Sequence, residues 1–282
     1  MQDKVGALMV LAVLFGTSLA VNHKSAWAYP GGPLRDVTDA APYCAGCHSA
    51  DGVEQMRDLP PPQARQRTAP VAHLDAIKAG HGPYAKLTPD QRTQLAADVE
   101  KVDANTKIAL QAPETVKAGE KFTVTVKARG GSGPVLGIML LDVDLRDQAR
   151  PIQGEGFQID AAPRVIGPDG RQQDQWLKRR YDGLAHNLSF VVVFGVKTDL
   201  AANQFSSTTV SYDLVAPSKP GKYTICAALA YGTEKASPLG RVEAGGHPMP
   251  LGGFDGASGR ILFSKVADIE VTKQPLLVPN PG

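Results

Sequence analysis

Near Ala112-Pro113 the repeat of apolar residues along this chain of 282 residues changes from helical spacing to alternation. A chain with that switch must build a helical part and a sheet part, each with its own buried face. Before the switch, Thr88-Pro89-Asp90 joins an N-cap to a proline at the first helical position, and Leu95, Val99 and Val102 follow on one helical face. A shorter helix is expected from Val71, carrying Leu74 and Ile77, with Gly80 as its stop. After the switch, residues 121–126 alternate with period two, residues 190–196 form a continuous apolar run, and residues 209–215, 223–231 and 261–271 add further strands. Gly/Pro clusters at 130–133, 167–170 and 217–221 separate them, and 29 glycines and 22 prolines against 6% aromatic residues favour turns over long helices. The pattern predicts an α + β chain of two domains: a small helical domain over 29–108, then an antiparallel β-sandwich of about seven strands over 109–273. A flexible tail is expected over 274–282. A fragment beginning near Ile108 is expected to fold as β protein by itself.

Thirty basic and 28 acidic residues leave a formal charge of +2. The longest basic block is Lys178-Arg179-Arg180, so no nucleic-acid partner is expected. Residues 1–28 read as an export signal: Lys4 supplies the positive start, residues 6–21 are apolar, and Ala26-Trp27-Ala28 places small residues at the −3 and −1 positions. Cleavage after Ala28 would release a periplasmic or secreted protein with no membrane span. The alternative is a retained anchor, although the apolar stretch falls short of the roughly 20 residues that cross a bilayer.

Cys44-Ala45-Gly46-Cys47-His48 carries the most specific chemistry. C-x-x-C-H is the attachment pattern of c-type haem, in which two thiols form thioethers to the vinyl groups and the adjacent imidazole reaches the iron. A thioredoxin-like redox pair lacks the βαβ surroundings that such a pair needs, and a zinc half-site lacks a second pair of ligands at suitable spacing. No serine, carboxylate or phosphate-loop motif supports a hydrolase or a nucleotide enzyme.

With this motif, about 75 residues, roughly 29–105, resemble a single-haem cytochrome c. The stretch Ala76-Ile77-Lys78-Ala79-Gly80-His81-Gly82-Pro83-Tyr84 matches the family's segment before its distal methionine, and Leu87-Thr88-Pro89-Asp90-Gln91 matches the start of its closing helix. The resemblance implies one covalent haem c on Cys44, Cys47 and His48, with His48 as proximal iron ligand. It departs at Tyr84, which stands where the family has methionine. His81 is the favoured distal ligand, because a neutral imidazole binds both oxidation states. Tyr84 is the runner-up, since a phenol with a pKa near 10 must first lose its proton. His73, Met56 and an open iron are further alternatives.

Residues 29–33, the haem motif and the strand that opens at Ala118-Gly119-Glu120 together resemble bacterial reeler-like proteins of the choice-of-anchor type. That resemblance implies an immunoglobulin-like sandwich. The turn-rich loops at 232–237 and 252–259 read as ordinary sandwich connections. Cys226 lies in an apolar run and reads as a buried structural thiol, with a copper set of Cys226, His186, His247 and Met249 as the sharper alternative.

These readings predict an exported cytochrome acting in electron transfer with an unidentified redox protein partner. Its sandwich would serve for docking, tethering or assembly. A haem enzyme or a sensor of peroxide, NO or CO is the second expectation, and an adhesion module with structural haem the third.

Overall fold

The computed structural model describes residues 44–50, 60, 68–144, 149–178, 188–244, 247–251 and 258–273. The export signal, Met56, His186 and the tail lie outside the described residues, as do the side chains of Cys47, His247 and Met249. Three helices concern the site: a single turn α1 (Ala45–His48), α2 (Ala69–Ala79) and α3 (Pro89–Asn105). At the start of α3, Thr88 accepts from the Gln91 N–H while the Gln91 side chain accepts from the Thr88 N–H, a reciprocal capping box. Gly80 ends α2 at φ 71°, a left-handed conformation that favours glycine. Among the described residues no helix is long and apolar enough to cross a membrane.

The principal strands are β1 (Lys107–Gln111), β2 (Thr115–Lys117), β3 (Lys121–Arg129), β4 (Val135–Leu141), β5 (Phe190–Phe194), β6 (Ser207–Val215), β7 (Gly221–Gly232), β8 (Gly259–Phe263) and β9 (Ala267–Thr272). One sheet runs β1-β3-β6 and continues through Arg164–Ile166 and Gln172–Gln173. The other runs β2-β9-β7-β4-β5, with β8 also on β7. Pairing is antiparallel except between β2 and β9. Alternate residues Val124, Val126 and Ala128 of β3, and Val210, Tyr212 and Leu214 of β6, face a core shared with β4, β5 and β7. Two sheets around one core make a mixed α/β fold compatible with a β-sandwich.

The strand expected over 261–271 is two strands, β8 and β9, which pair with successive parts of β7. Sequence reading also missed β4, because its run around Gly137 is apolar on both faces and carries no period.

The passage from helix to strand comes at Thr106, between α3 and β1, several residues before the change of period expected near Ala112-Pro113, and contacts cross it. Val102 of α3 and Ala45 of α1 belong to the core between the sheets. Gly131 N–H donates to Thr106 Oγ1 at 2.9 Å, Tyr231 Oη to Asp103 at 3.0 Å, and Ser237 Oγ to Asp98 at 2.6 Å. A β fragment from Ile108 onward would lose all of these, so the expectation of its independent folding conflicts with a core built from both parts. A second, smaller core joins Ile77, Tyr84, Leu95, Ala96 and Val99 to Leu251.

Candidate functional site

The turn α1 holds Cys44 and His48 one helical step apart: His48 N–H donates to Cys44 O at 2.8 Å and Ser49 N–H to Ala45 O at 3.2 Å. Ala45, fully buried, anchors the turn to the sheets. The chain then runs parallel to β8 through a Ser49–Ile261 bridge, with Ala50 N–H on Ile261 O at 2.8 Å, and Ser49 O accepts the first N–H of α2, that of Ala69, at 2.9 Å. The C-x-x-C-H turn is thus a joint between α2 and the second sheet.

His48 Nδ1 lies 2.9 Å from Gly259 O. A carbonyl only accepts, so Nδ1 carries the proton and Nε2 keeps its lone pair. Burial holds His48 below the ordinary imidazole value, with Arg260 and His73 acting in the same direction and the Gly259 bond opposing them. The ring is therefore neutral at pH 7, in the tautomer that an axial metal ligand requires. Cys44 is partly exposed, at the start of the same turn. This donor set fits a c-type haem.

A buried polar network lies beyond Gly259. Arg260 Nη2 is 2.9 Å from His73 Nδ1, and since a guanidinium only donates, the His73 proton sits on Nε2. That Nε2 is 2.7 Å from Tyr84 Oη and 3.2 Å from Glu234 Oε1, and the Tyr84 hydroxyl donates to the same Glu234 oxygen. The donors run in one direction, from Arg260 through His73 and Tyr84 to Glu234. Asp103 pairs with Arg260 at 3.2 Å. His73, Tyr84 and Glu234 are each 0% exposed and Arg260 is 1% exposed. Among the described residues Glu234 Oε2 has no hydrogen-bond partner. Burial is the first cause that keeps His73 below the usual imidazole value, and also the first that pushes the Tyr84 phenol far above its usual range, with Glu234 adding to the second shift. A Cβ on Gly240 would come within 1.8 Å of Glu234 O, so the turn that carries Glu234 closes only with glycine there.

The distal candidates fall differently from expectation. His81 is exposed, beyond the C-terminal end of α2, whereas Ser49 meets the N-terminal end. An 11-residue helix is about 16 Å long, so the structure does not bring His81 to His48. Tyr84, the matched position and runner-up ligand, instead donates its hydroxyl hydrogen to a bond with Glu234. Ligation as phenolate would break that bond and oppose the shift imposed by burial. His73, a further ligand alternative, is buried with both ring nitrogens engaged. Met56 lies outside the described residues. Cys226 is buried in β7, with Sγ 3.5 Å from Ser264 O and 3.6 Å from Ser264 Oγ, and of the copper set it alone has a described side chain.

Sequence reasoning missed Glu234, Arg260 and Asp103. The loop at 232–237 looked like a plain connection, but it delivers Glu234 to the helices. Arg260 did leave a signal: a cation directly before the apolar run Ile261-Leu262-Phe263 on a strand has to find a buried partner. No protein-family model matches the chain, and comparison with curated proteins finds no match.

Proposed function

We propose that this chain is an exported single-haem c-type cytochrome that carries electrons, with an immunoglobulin-like sandwich as its docking or tethering module. The observation that carries the reading is the His48–Gly259 bond, which leaves a neutral imidazole with Nε2 bare one helical turn from the Cys44 thiol. Cys44 and Cys47 would hold the haem by thioethers and His48 would ligate its iron, which supplies one-electron exchange. The carbonyl of Gly259 fixes the imidazole plane and raises its basicity, favouring the oxidised metal. Ala45 and Ser49 set where the turn sits on the sheets, so the electron-carrying group and the docking module would move as one body.

The test is expression in a host that matures c-type cytochromes. Haem should stay with the polypeptide through acid-acetone extraction, and the mass should equal residues 29–282 plus one haem. Colourless protein overturns the reading.

A second reading, a haem sensor or enzyme with an open sixth position, is favoured by the engagement of His73 and Tyr84 elsewhere and by the remote place of His81. Carbon monoxide binding by the reduced protein separates the two: rapid stoichiometric binding supports a sensor, and an unperturbed low-spin spectrum supports the carrier.

A further inference from the structure

A cleft of about 770 Å³ opens where the 195–206 segment faces Ser132, Lys235 and Arg241. Three cations, Lys197, Lys235 and Arg241, line it against one acid, Asp199, whose Oδ1 already accepts the Ala202 N–H at 2.9 Å. Among the described residues none of the three cations forms an ion pair. Lys235 is half-buried and held below the ordinary lysine value, first by burial and then by the charge of Arg241. Arg241 is exposed at the mouth of the cleft, and its charge and that of Lys235 repel each other unless a counter-charge lies between them. Phe205 forms an apolar wall of the same cleft, and Arg129 Cζ lies 5.2 Å from its ring centroid, which adds a fourth cation behind the ring. The volume falls within the range of small-molecule sites, roughly 300–1,000 Å³.

We propose that this cleft binds a small organic anion, a carboxylate or phosphate ester, with its charge between Lys235 and Arg241 and its apolar part against Phe205. The assignment does not depend on the haem reading. It does place the anion beside the residue that follows Glu234, at the edge of the buried network. A phosphate or carboxylate accepts charge-assisted hydrogen bonds from both cations and removes their mutual repulsion.

Isothermal titration of the full-length protein with phenyl phosphate, inorganic phosphate and polyglutamate tests the proposal. Phenyl phosphate should bind one per chain and weaken with added salt, and the Lys235→Met and Arg241→Gln variants should each weaken it by about tenfold, the loss of one charged contact. Phe205→Leu should weaken phenyl phosphate while leaving inorganic phosphate unchanged. Far-UV circular dichroism of each variant checks that the fold is kept. No saturation below about 10 mM at low salt, a weaker limit than any useful small-ligand site, overturns the proposal. Variants without effect overturn it equally. Binding of polyglutamate alone also overturns it, by making the face a docking surface for acidic proteins, and equal affinity for inorganic and phenyl phosphate removes Phe205 from the site.

Discussion

Replacing Tyr84 by Phe deletes one oxygen from among side chains that are fully buried. In the wild type that oxygen accepts from His73 Nε2 at 2.7 Å and donates to Glu234 Oε1. Without it Glu234 keeps only His73, at 3.2 Å, because Oε2 has no hydrogen-bond partner among the described residues. A hydrogen bond to a charged group contributes about 1.5–3 kcal/mol, and a buried partner left short cannot turn to water. The ring itself still fills its place beside Ile77 and Leu95, so no cavity term is added. The expected loss is about 2–3 kcal/mol, which with a urea slope of about 2 kcal/mol/M moves the midpoint down by about 1 M. Urea titration of the mature holoprotein should be followed by two probes: fluorescence of Trp176, buried in the core between the sheets, and helical ellipticity. Both should shift together, since the lost bond joins α2 and the turn after it to the strand side. A midpoint change below about 0.25 M, or less than roughly 0.5 kcal/mol, would refute the reasoning that Tyr84 satisfies Glu234. A shift in ellipticity with unchanged fluorescence would refute the coupling of the two parts.

Acid should destabilise the fold through His73, whose folded-state pKa lies below its unfolded value near 6.5. Above that pH the ring is neutral in both states and its contribution is fully present. Below it the unfolded chain takes a proton that the folded chain refuses, and stability falls by up to about 1.4 kcal/mol per pH unit until the folded pKa is passed. Urea midpoints at several pH values between 7.5 and 5 should show this slope, and His73→Gln should reduce it by up to one proton's worth. A fragment that starts at Ile108 strips Asp103 from buried Arg260, and His73 and Tyr84 from Glu234. Breaking one such buried pair costs about 3–5 kcal/mol, so the fragment should be unfolded or aggregated by circular dichroism where the full chain is stable.

The helices were legible because their signals are local: Thr88-Pro89-Asp90 with Gln91 is a complete start, and Gly80 a complete stop, within a few residues. Strands β3 and β6 were legible because one face of each is wet. Strand β4 was not, since burial on both sides erases alternation. The turn that holds Cys44 and His48 was legible for the same reason as the helices, namely that its chemistry is written in five adjacent residues. Its surroundings were not. Gly259 follows His48 by 211 residues, and Glu234 follows Tyr84 by 150, so neither partner leaves a pattern in any window. The matched position of Tyr84 pointed to iron because a family pattern records position and not environment. In this chain Glu234 supplies an acceptor that a methionine would leave empty.

A directed chain of donors from Arg260 to Glu234 also explains why these residues occur as a set. Asp103 compensates the guanidinium while Arg260 fixes the His73 tautomer; that tautomer aims Nε2–H at Tyr84, whose hydroxyl donates a hydrogen bond to Glu234. Removing Arg260 frees the His73 tautomer, and removing Tyr84 leaves His73 Nε2–H only the longer contact to Glu234. Gly259 and Arg260 are neighbours on β8, so the strand that orients the His48 ring also presents the first donor of the chain. A displacement of β8 along the sheet would therefore alter the imidazole of His48 and the protonation pattern of the network together. Strand β8 thus joins the candidate haem ligand to the buried network.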